Sequence, residues 1–280
     1  MSPIFVGGRI IFGALSSQPT GITTTAGSEY YNTTENQKYI YSGASNSWRK
    51  NTGGVFTSDG DAFYDGSAIA TFQLNGNATS LPGTTFSGTL SGDNGVGNFT
   101  SGGKFGDYWI GSGSTHLTST STSIRPSGSF SLTFWYKSNT TGQDNKRVLT
   151  VQGSTICAGW NNYNNSIGFY TGTGASSANT TPGVERRALI PDAAINDNNW
   201  HHLGFTISAV NTWQIYLDGS AYNNPWGGAT ENRSFNNGSF FAVTTYEGGD
   251  NYNTICGIDQ IRLFSRVLTN AEIKQLYDEN

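Results

Sequence analysis

The sequence predicts an all-β chain: a two-sheet antiparallel sandwich, preceded by a small N-terminal β-hairpin segment and closed by one short C-terminal helix. Three observations carry this. Many short segments alternate apolar and polar residues with period two, the pattern of strands with one buried face. Glycine is abundant (37 of 280 residues) and aromatics reach 13%, while only 12% of residues are charged; that mixture suits pleated faces and tight turns and suits helices badly. A helix start is written only near the end, where Thr269-Asn270-Ala271-Glu272 forms a capping box with Thr269 as the cap and Glu272 at N3. The 16 Phe, 14 Tyr and 7 Trp supply the apolar area that a disordered chain lacks.

In chain order, the apolar start Ile4-Phe5-Val6-Gly7-Gly8-Arg9-Ile10-Ile11-Phe12 reads as a strand or docking segment. Arg9 interrupts it, and the basic start of a secretory signal is missing. Glu29-Tyr30-Tyr31 and Lys38-Tyr39-Ile40-Tyr41 flank a polar turn and read as a β-hairpin. A lone hairpin is marginal in water, so residues 1–55 need a partner and are assigned as an attachment segment. Residues 56–66 read as a linker. Its Asp59, Asp61 and Asp65 invite comparison with a calcium loop, but no Glu follows at the EF-hand position, and polar turns are the preferred reading.

Residues 67–280 form the main domain. Phe130, Leu132, Phe134 and Tyr136 share one face of a strand, and Leu203-Gly204-Phe205-Thr206-Ile207, Trp213 to Leu217 and Ile258 to Leu263 are expected to alternate in the same way. Leu268, Ile273 and Leu276 fall on one side of the closing helix.

Two stretches resemble known families. Gly27 to Trp48, with Tyr30-Tyr31-Asn32-Thr33 and Tyr39-Ile40-Tyr41-Ser42-Gly43, resembles a short hairpin repeated in tail-fibre and other virion-surface proteins of tailed bacteriophages. From residue 68 onward, six ordered motifs resemble the laminin-G-like, concanavalin-like jelly roll. They are Leu74-Asn75-Gly76-Asn77-Ala78 (Asn75 where the family usually has Asp), Gly103-Lys104-Phe105-Gly106, Ser129 to Lys137, Trp200-His201-His202-Leu203, Ile215-Tyr216-Leu217-Asp218-Gly219, and Gly257 to Thr269. The resemblance implies a jelly-roll sandwich in which these motifs mostly build scaffold. Trp135, Trp200 and Phe205 then read as core. One of His201 and His202 is expected buried and the other wet, Asp218 belongs to a tight hairpin turn, and Asp259 anchors a loop through backbone hydrogen bonds.

Composition narrows the function. Fifteen basic residues against 19 acidic ones give a formal charge of −4, with no basic stripe for nucleic acid. No apolar run is long enough to insert in a membrane. Glycoside hydrolysis needs two facing carboxylates, and the E-x-D-x-x-E string usual for glycanases on this kind of sandwich is missing, as are the nucleophile elbow and the P-loop. The chain is therefore read as a non-enzyme with no cofactor. Cys157 and Cys256 read as buried, reduced thiols, with a disulfide the alternative.

What remains is a ligand surface. Three segments expected to be loops mix rings with amides: Trp160, Asn162 and Tyr163; Tyr222 and Trp226; Tyr246, Asp250 and Tyr252. Rings can stack on the C–H faces of sugars while amides and carboxylates bond their hydroxyls; the competing reading has the same residues serving turns and subunit interfaces. The two resemblances together imply a bacteriophage virion-surface protein, of fibre or adhesin type. It would join other virion proteins through its N-terminal segment, form a homo-oligomer (a trimer by analogy with phage fibres) and contact host surface polysaccharide. A purely structural capsid decoration or fibre subunit is the alternative.

Overall fold

The computed structural model describes residues 4–6, 9–15, 28–32, 37–42, 47–51, 60–63, 65–93, 98–112, 115–124, 126, 128–141, 146–153, 157–162, 166–172, 186–208, 213–222, 238–244 and 254–279. The chain opens with β1 (Ile4–Val6), β2 (Arg9–Leu15), β3 (Glu29–Asn32), β4 (Gln37–Ser42) and β5 (Ser47–Asn51), a five-stranded sheet in that order. The apolar start thus supplies two strands, and the expected hairpin, β3–β4, gains its partners on both edges. Across it Tyr30 pairs with Tyr39, their rings stacked 5.0 Å apart.

The main domain begins with β6 (Ala68–Phe72), β7 (Ser91–Asp93), β8 (Phe99–Gly103), β9 (Gly106–Ser112), β10 (His116–Ser119) and β11 (Phe130–Lys137). It continues through β12 (Lys146–Gly153), β13 (Cys157–Asn162), β14 (Ser166–Gly172), β15 (Arg186–Pro191), β16 (His201–Ile207), β17 (Trp213–Leu217), β18 (Ser220–Tyr222), β19 (Gly238–Val243) and β20 (Ile255–Phe264), and ends in α1 (Asn270–Tyr277). These strands form two antiparallel sheets. One has seven strands in the order β15-β14-β13-β12-β19-β10-β7. The other has eight, β18-β17-β16-β11-β20-β9-β8, with β6 also pairing β20. The ten-residue β20 holds this sheet together: β11 lies along one edge, while β9 takes the first half of the other edge and β6 the second.

The core lies between the sheets. Phe130, Leu132, Phe134 and Tyr136 of β11 are fully buried, as their alternation predicted, against residues such as Phe205, Phe241 and Ile261. A second apolar layer covers the far face of the eight-stranded sheet, where Ile273, Leu276 and Leu268 pack on Ala68, Tyr216 and Phe264. The capping box that starts α1 is complete, with Thr269 accepting from Glu272 N and Glu272 from Thr269 N, a device worth ~1 kcal/mol.

Part of the expected linker belongs to this layer. Gly60, Asp61, Ala62, Phe63 and Ser67 are buried, and Phe63 packs on Phe264. Arg266 bridges Asp65 and Glu272, both at 2.7 Å, so it clamps this segment to the helix. The carboxylate of Asp61 accepts from the amides of Phe63 and Gly66, and that of Asp65 from Ser67: these acids serve turns.

Beyond α1, Glu279 grips Arg262 of β20 through two hydrogen bonds of 2.5 and 2.6 Å, with both side chains almost wholly buried. Removing one partner of such a pair strands a buried charge. Glu279→Ala should therefore lower the unfolding free energy in urea by ~3 kcal/mol, whereas a change near zero would mean that Arg262 finds water or another acceptor. Cys256 is a buried free thiol whose pKa burial pushes well up; the side chain of Cys157 lies outside the described residues. Cys256 should resist a thiol reagent in the native protein and react once denaturant is added, and rapid native labelling would contradict this.

Candidate functional site

The far face of the eight-stranded sheet is built around a break in β20. Trp135 pairs with Asp259, yet Thr133 pairs with Arg262, so the register slips between them. Gln260 takes the slip with φ +50°, forming a β-bulge. The strict alternation expected for Ile258 to Leu263 fails here. Ile258 and Ile261 both join the inter-sheet core, and Asp259 and Arg262, three residues apart, are both turned away from it.

Asp259 organises the neighbouring turn. Its Oδ2 accepts from Phe105 N at 3.1 Å, the loop-anchoring role expected for it. Burial pushes its carboxyl up to about 7, against the pull of the amides of Phe105, Gln260 and Lys104 and of the Arg262 charge. Asn75, standing where the resemblance expects Asp, braces the other side by accepting from Asp107 N at 2.8 Å. Gly106 is required there: its φ is +99°, and a Cβ would lie 2.6 Å from Asn75 Oδ1.

The turn so fixed lays Lys104 and Phe105 over Trp135. Phe105 meets that indole edge-on at 6.1 Å, and Lys104 Nζ sits 4.5 Å from its centroid. Tyr277, at the end of α1, stacks on Trp135 at 5.7 Å, and His202 lies 5.2 Å away. His202 is buried and neutral, its pKa lowered to about 3 by desolvation and then by the Arg262 charge.

Beyond the turn, Trp200 and Tyr108 stand at 87° with centroids 5.0 Å apart. They close on Gly257, where a Cβ would fall 2.8 Å from Tyr108 and 3.2 Å from Trp200. Trp200 Nε1 donates to Gly102 O at 3.2 Å, and Lys137 Nζ lies 5.9 Å from the Trp200 ring. Both rings are part-exposed. Trp200, expected in the core, is thus a rim residue, while Trp135 is buried on the outer face and Phe205 in the core. The histidine pair divides as expected: His201 is part-exposed and His202 buried. Asp218 and Gly219 take positive φ (+49° and +74°) in the tight β17–β18 turn.

Of the residues expected to bind a ligand, Trp160 and Asn162 lie on β13 and not in a loop, Trp160 paired with Leu149 and Asn162 with Lys146. Cross-strand hydrogen bonding overrides the turn preference of the Asn-rich sequence. Tyr222 ends β18, packs against the core and accepts from Gln214 Nε2 at its carbonyl; it too is structural. Tyr163, Trp226, Tyr246, Asp250 and Tyr252 lie outside the described residues. The expected sites overlooked Lys104, Tyr108, Lys137 and Trp200. Lys104 and Trp200 belong to the Gly103–Gly106 and Trp200–Leu203 motifs, for which the resemblance implies scaffold and not surface chemistry.

The model of the concanavalin A-like lectin/glucanases superfamily matches residues 111–274, more than half of the chain. Among solved structures the chain is similar to domain 4 of AbnA, a GH43 extracellular arabinanase from Geobacillus stearothermophilus, in complex with arabinotriose: TM-score 0.57, 17% identity, 76% of this chain and 98% of that one. It is also similar to the binding domain of paraclostridial mosquitocidal protein 1 (TM-score 0.56, 13% identity, 76% and 52% coverage). A third is the botulinum neurotoxin serotype D ligand-binding domain in complex with N-acetylneuraminic acid (TM-score 0.52, 14% identity, 76% and 50% coverage). The chain spans about half the length of those two binding domains. At these identities the likeness is one of fold, and it bears out the expected jelly roll. No curated protein sequence matches the chain.

His201 gives a pH test. Its Nδ1 lies 2.9 Å from Asp218 Oδ2 and its Nε2 3.1 Å from Asp197 Oδ1. The Asp218 bond raises its pKa against desolvation, and Asp197 adds to the rise; Asp197 itself is lowered to about 2, chiefly by Asn199. A raised histidine stabilises the fold fully below its unfolded value and loses that contribution as pH rises through its folded value. The lowered aspartate contributes above its unfolded value and fails only toward pH 2. The clasp is therefore strongest between roughly pH 4 and 6.5. Wild type should exceed His201→Gln by up to ~1 kcal/mol near pH 5.5, and the gap should narrow near pH 8.5. A gap that widened with pH would refute the assignment.

Proposed function

Because the chain belongs to the concanavalin A-like lectin/glucanases superfamily, we propose that it is a non-catalytic carbohydrate-binding module displayed on the surface of a bacteriophage virion. One observation carries the sugar reading: nearly the whole of an arabinanase domain solved with arabinotriose superposes on this sandwich. The part-exposed rings of Trp200 and Tyr108 and the ring-and-amide segments holding Trp226, Tyr246 and Tyr252 support it chemically. The non-catalytic reading is supported by the work that five of the described carboxylates already do. Asp259 holds a turn, Glu279 holds Arg262, Asp197 and Asp218 hold His201, and Glu272 caps α1.

The virion reading draws on the hairpin resemblance, carried here by β3 and β4. Residues 1–55 attach the protein to neighbouring subunits or to the particle, in a homo-oligomer, and the sandwich projects outward toward host surface polysaccharide. A second reading is a structural decoration or fibre subunit with no ligand: Tyr222, expected to bind one, is instead engaged with its own core.

Two experiments separate these. On an array of neutral and acidic saccharides, the protein should bind at least one class, and Trp226→Ala or Tyr252→Ala should weaken retention about thirtyfold, the ~2 kcal/mol typical of a central aromatic contact. Full-length protein that binds no saccharide, yet is found in purified particles by mass spectrometry, would establish the decoration reading instead. Deleting residues 1–55 should leave saccharide binding intact and abolish incorporation into particles, and incorporation by the truncated chain would sink the attachment role.

A further inference from the structure

The cations on the far face of the eight-stranded sheet fall into two groups. Arg262 and Arg266 are neutralised, the first by Glu279 and the second by Asp65 and Glu272. Lys104 and Lys137 have no ion-pair partner among the described residues; each stands over aromatic rings, Lys104 over Trp135 and Phe105 and Lys137 over Trp200. A ring face holds an ammonium group through its quadrupole but leaves the full positive charge and its N–H donors free for an anion. Asp259 is buried and bonded to the Phe105 amide, Asp197 is bonded to His201 and Asn199, and Asp278 is paired with Lys274.

These two lysines flank the Trp200–Tyr108 pair. Lys137 pairs with Gly257, on which both rings close, and Trp200 donates to Gly102, two residues before Lys104. The ring faces that this edge-on contact leaves uncovered can stack on the C–H faces of a sugar, and an ammonium beside them accepts a carboxylate. From this juxtaposition we infer that the face formed by Lys104, Tyr108, Lys137 and Trp200 binds acidic saccharides, of the uronic- or sialic-acid class, with the two lysines on the sugar carboxylate. The inference rests on the carbohydrate-binding reading above and specifies its ligand class and its face.

The test uses the full chain on an array of saccharides that carry or lack a uronic or sialic acid. Lys104→Gln and Lys137→Gln are compared with Lys146→Gln, the same charge change on the seven-stranded sheet, and unchanged melting temperatures verify folding. Acidic saccharides should be retained in preference to neutral ones, and less so as salt is raised. Each of the first two variants should lose about tenfold in affinity, the size expected for one charge-assisted contact. Lys146→Gln should lose nothing, and Lys137→Arg should retain binding. Acidic-saccharide binding indifferent to Lys104 and Lys137, or lost equally with Lys146, would overturn the inference. Binding confined to neutral saccharides would overturn it while leaving the carbohydrate reading standing. Failure to bind any saccharide would remove both.

Discussion

One extra residue in β20 decides what the outer face of the larger sheet can be. In an unbroken strand, residues three apart point to opposite faces, so Asp259 and Arg262 could not both leave the core. The bulge at Gln260 removes that constraint at the cost of a left-handed conformation in a residue with a Cβ, about 1–2 kcal/mol. In return, Asp259 reaches the Gly103–Gly106 turn and Arg262 reaches Glu279. The turn that carries Lys104 and the chain that follows α1 are thus both fixed to the same strand. Shifting the register would send Arg262 into an apolar core, an outcome expensive enough to hold the bulge in place.

The polar groups gathered there are costly to bury. Arg262 and Glu279 gain from two short hydrogen bonds but lose the hydration of both ions, so the pair adds less to net stability than its contacts suggest. His202 avoids the same penalty by staying neutral, which lets its ring pack, tilted, beside Trp135 and Tyr277. What this arrangement supplies is position. α1 could slide along an apolar face at little cost, but Glu279 finds its fork, and Tyr277 its indole, in one place only.

Much of the fold was legible in the sequence because it depends on local pattern. Alternation in β11, the capping box at Thr269 and the Asp218–Gly219 turn each follow from a few adjacent residues, and the structure reproduces them. The failures share a physical cause. Ile258 to Leu263 contains one residue too many for alternation, and only the partner strand β11 reveals which one bulges. Trp160 to Asn162 has the composition of a loop, yet pairing with Lys146 to Leu149 makes it strand. Residues 60–66 look like linker until Phe63 finds Phe264 and Arg266 finds Asp65. Each depends on a partner far along the chain, which single-sequence pattern does not encode. The candidate face has the same cause: Lys104 and Tyr108 share the β8–β9 hairpin, and Lys137 and Trp200 join it from two segments far along the chain.

The division of labour across that face has a thermodynamic logic. Under the helix, where water is excluded, an unpaired cation would be ruinous, and Arg262 has its carboxylate there. Outside the helix's cover, a lysine can keep its ammonium hydrated while its stem covers apolar rings. Lys104 does this over Trp135 and Phe105. Pairing it with a carboxylate would add little stability at a wet site and would cancel the charge. The arrangement leaves a cation whose location is fixed by rings on a braced turn but whose charge is uncommitted. A ligand carboxylate that met it would find its partner already ordered, so less of the interaction would be lost to side-chain entropy. The bulge at Gln260 and the bracing by Asn75 and Asp259 thereby connect a buried backbone irregularity to the readiness of an exposed surface.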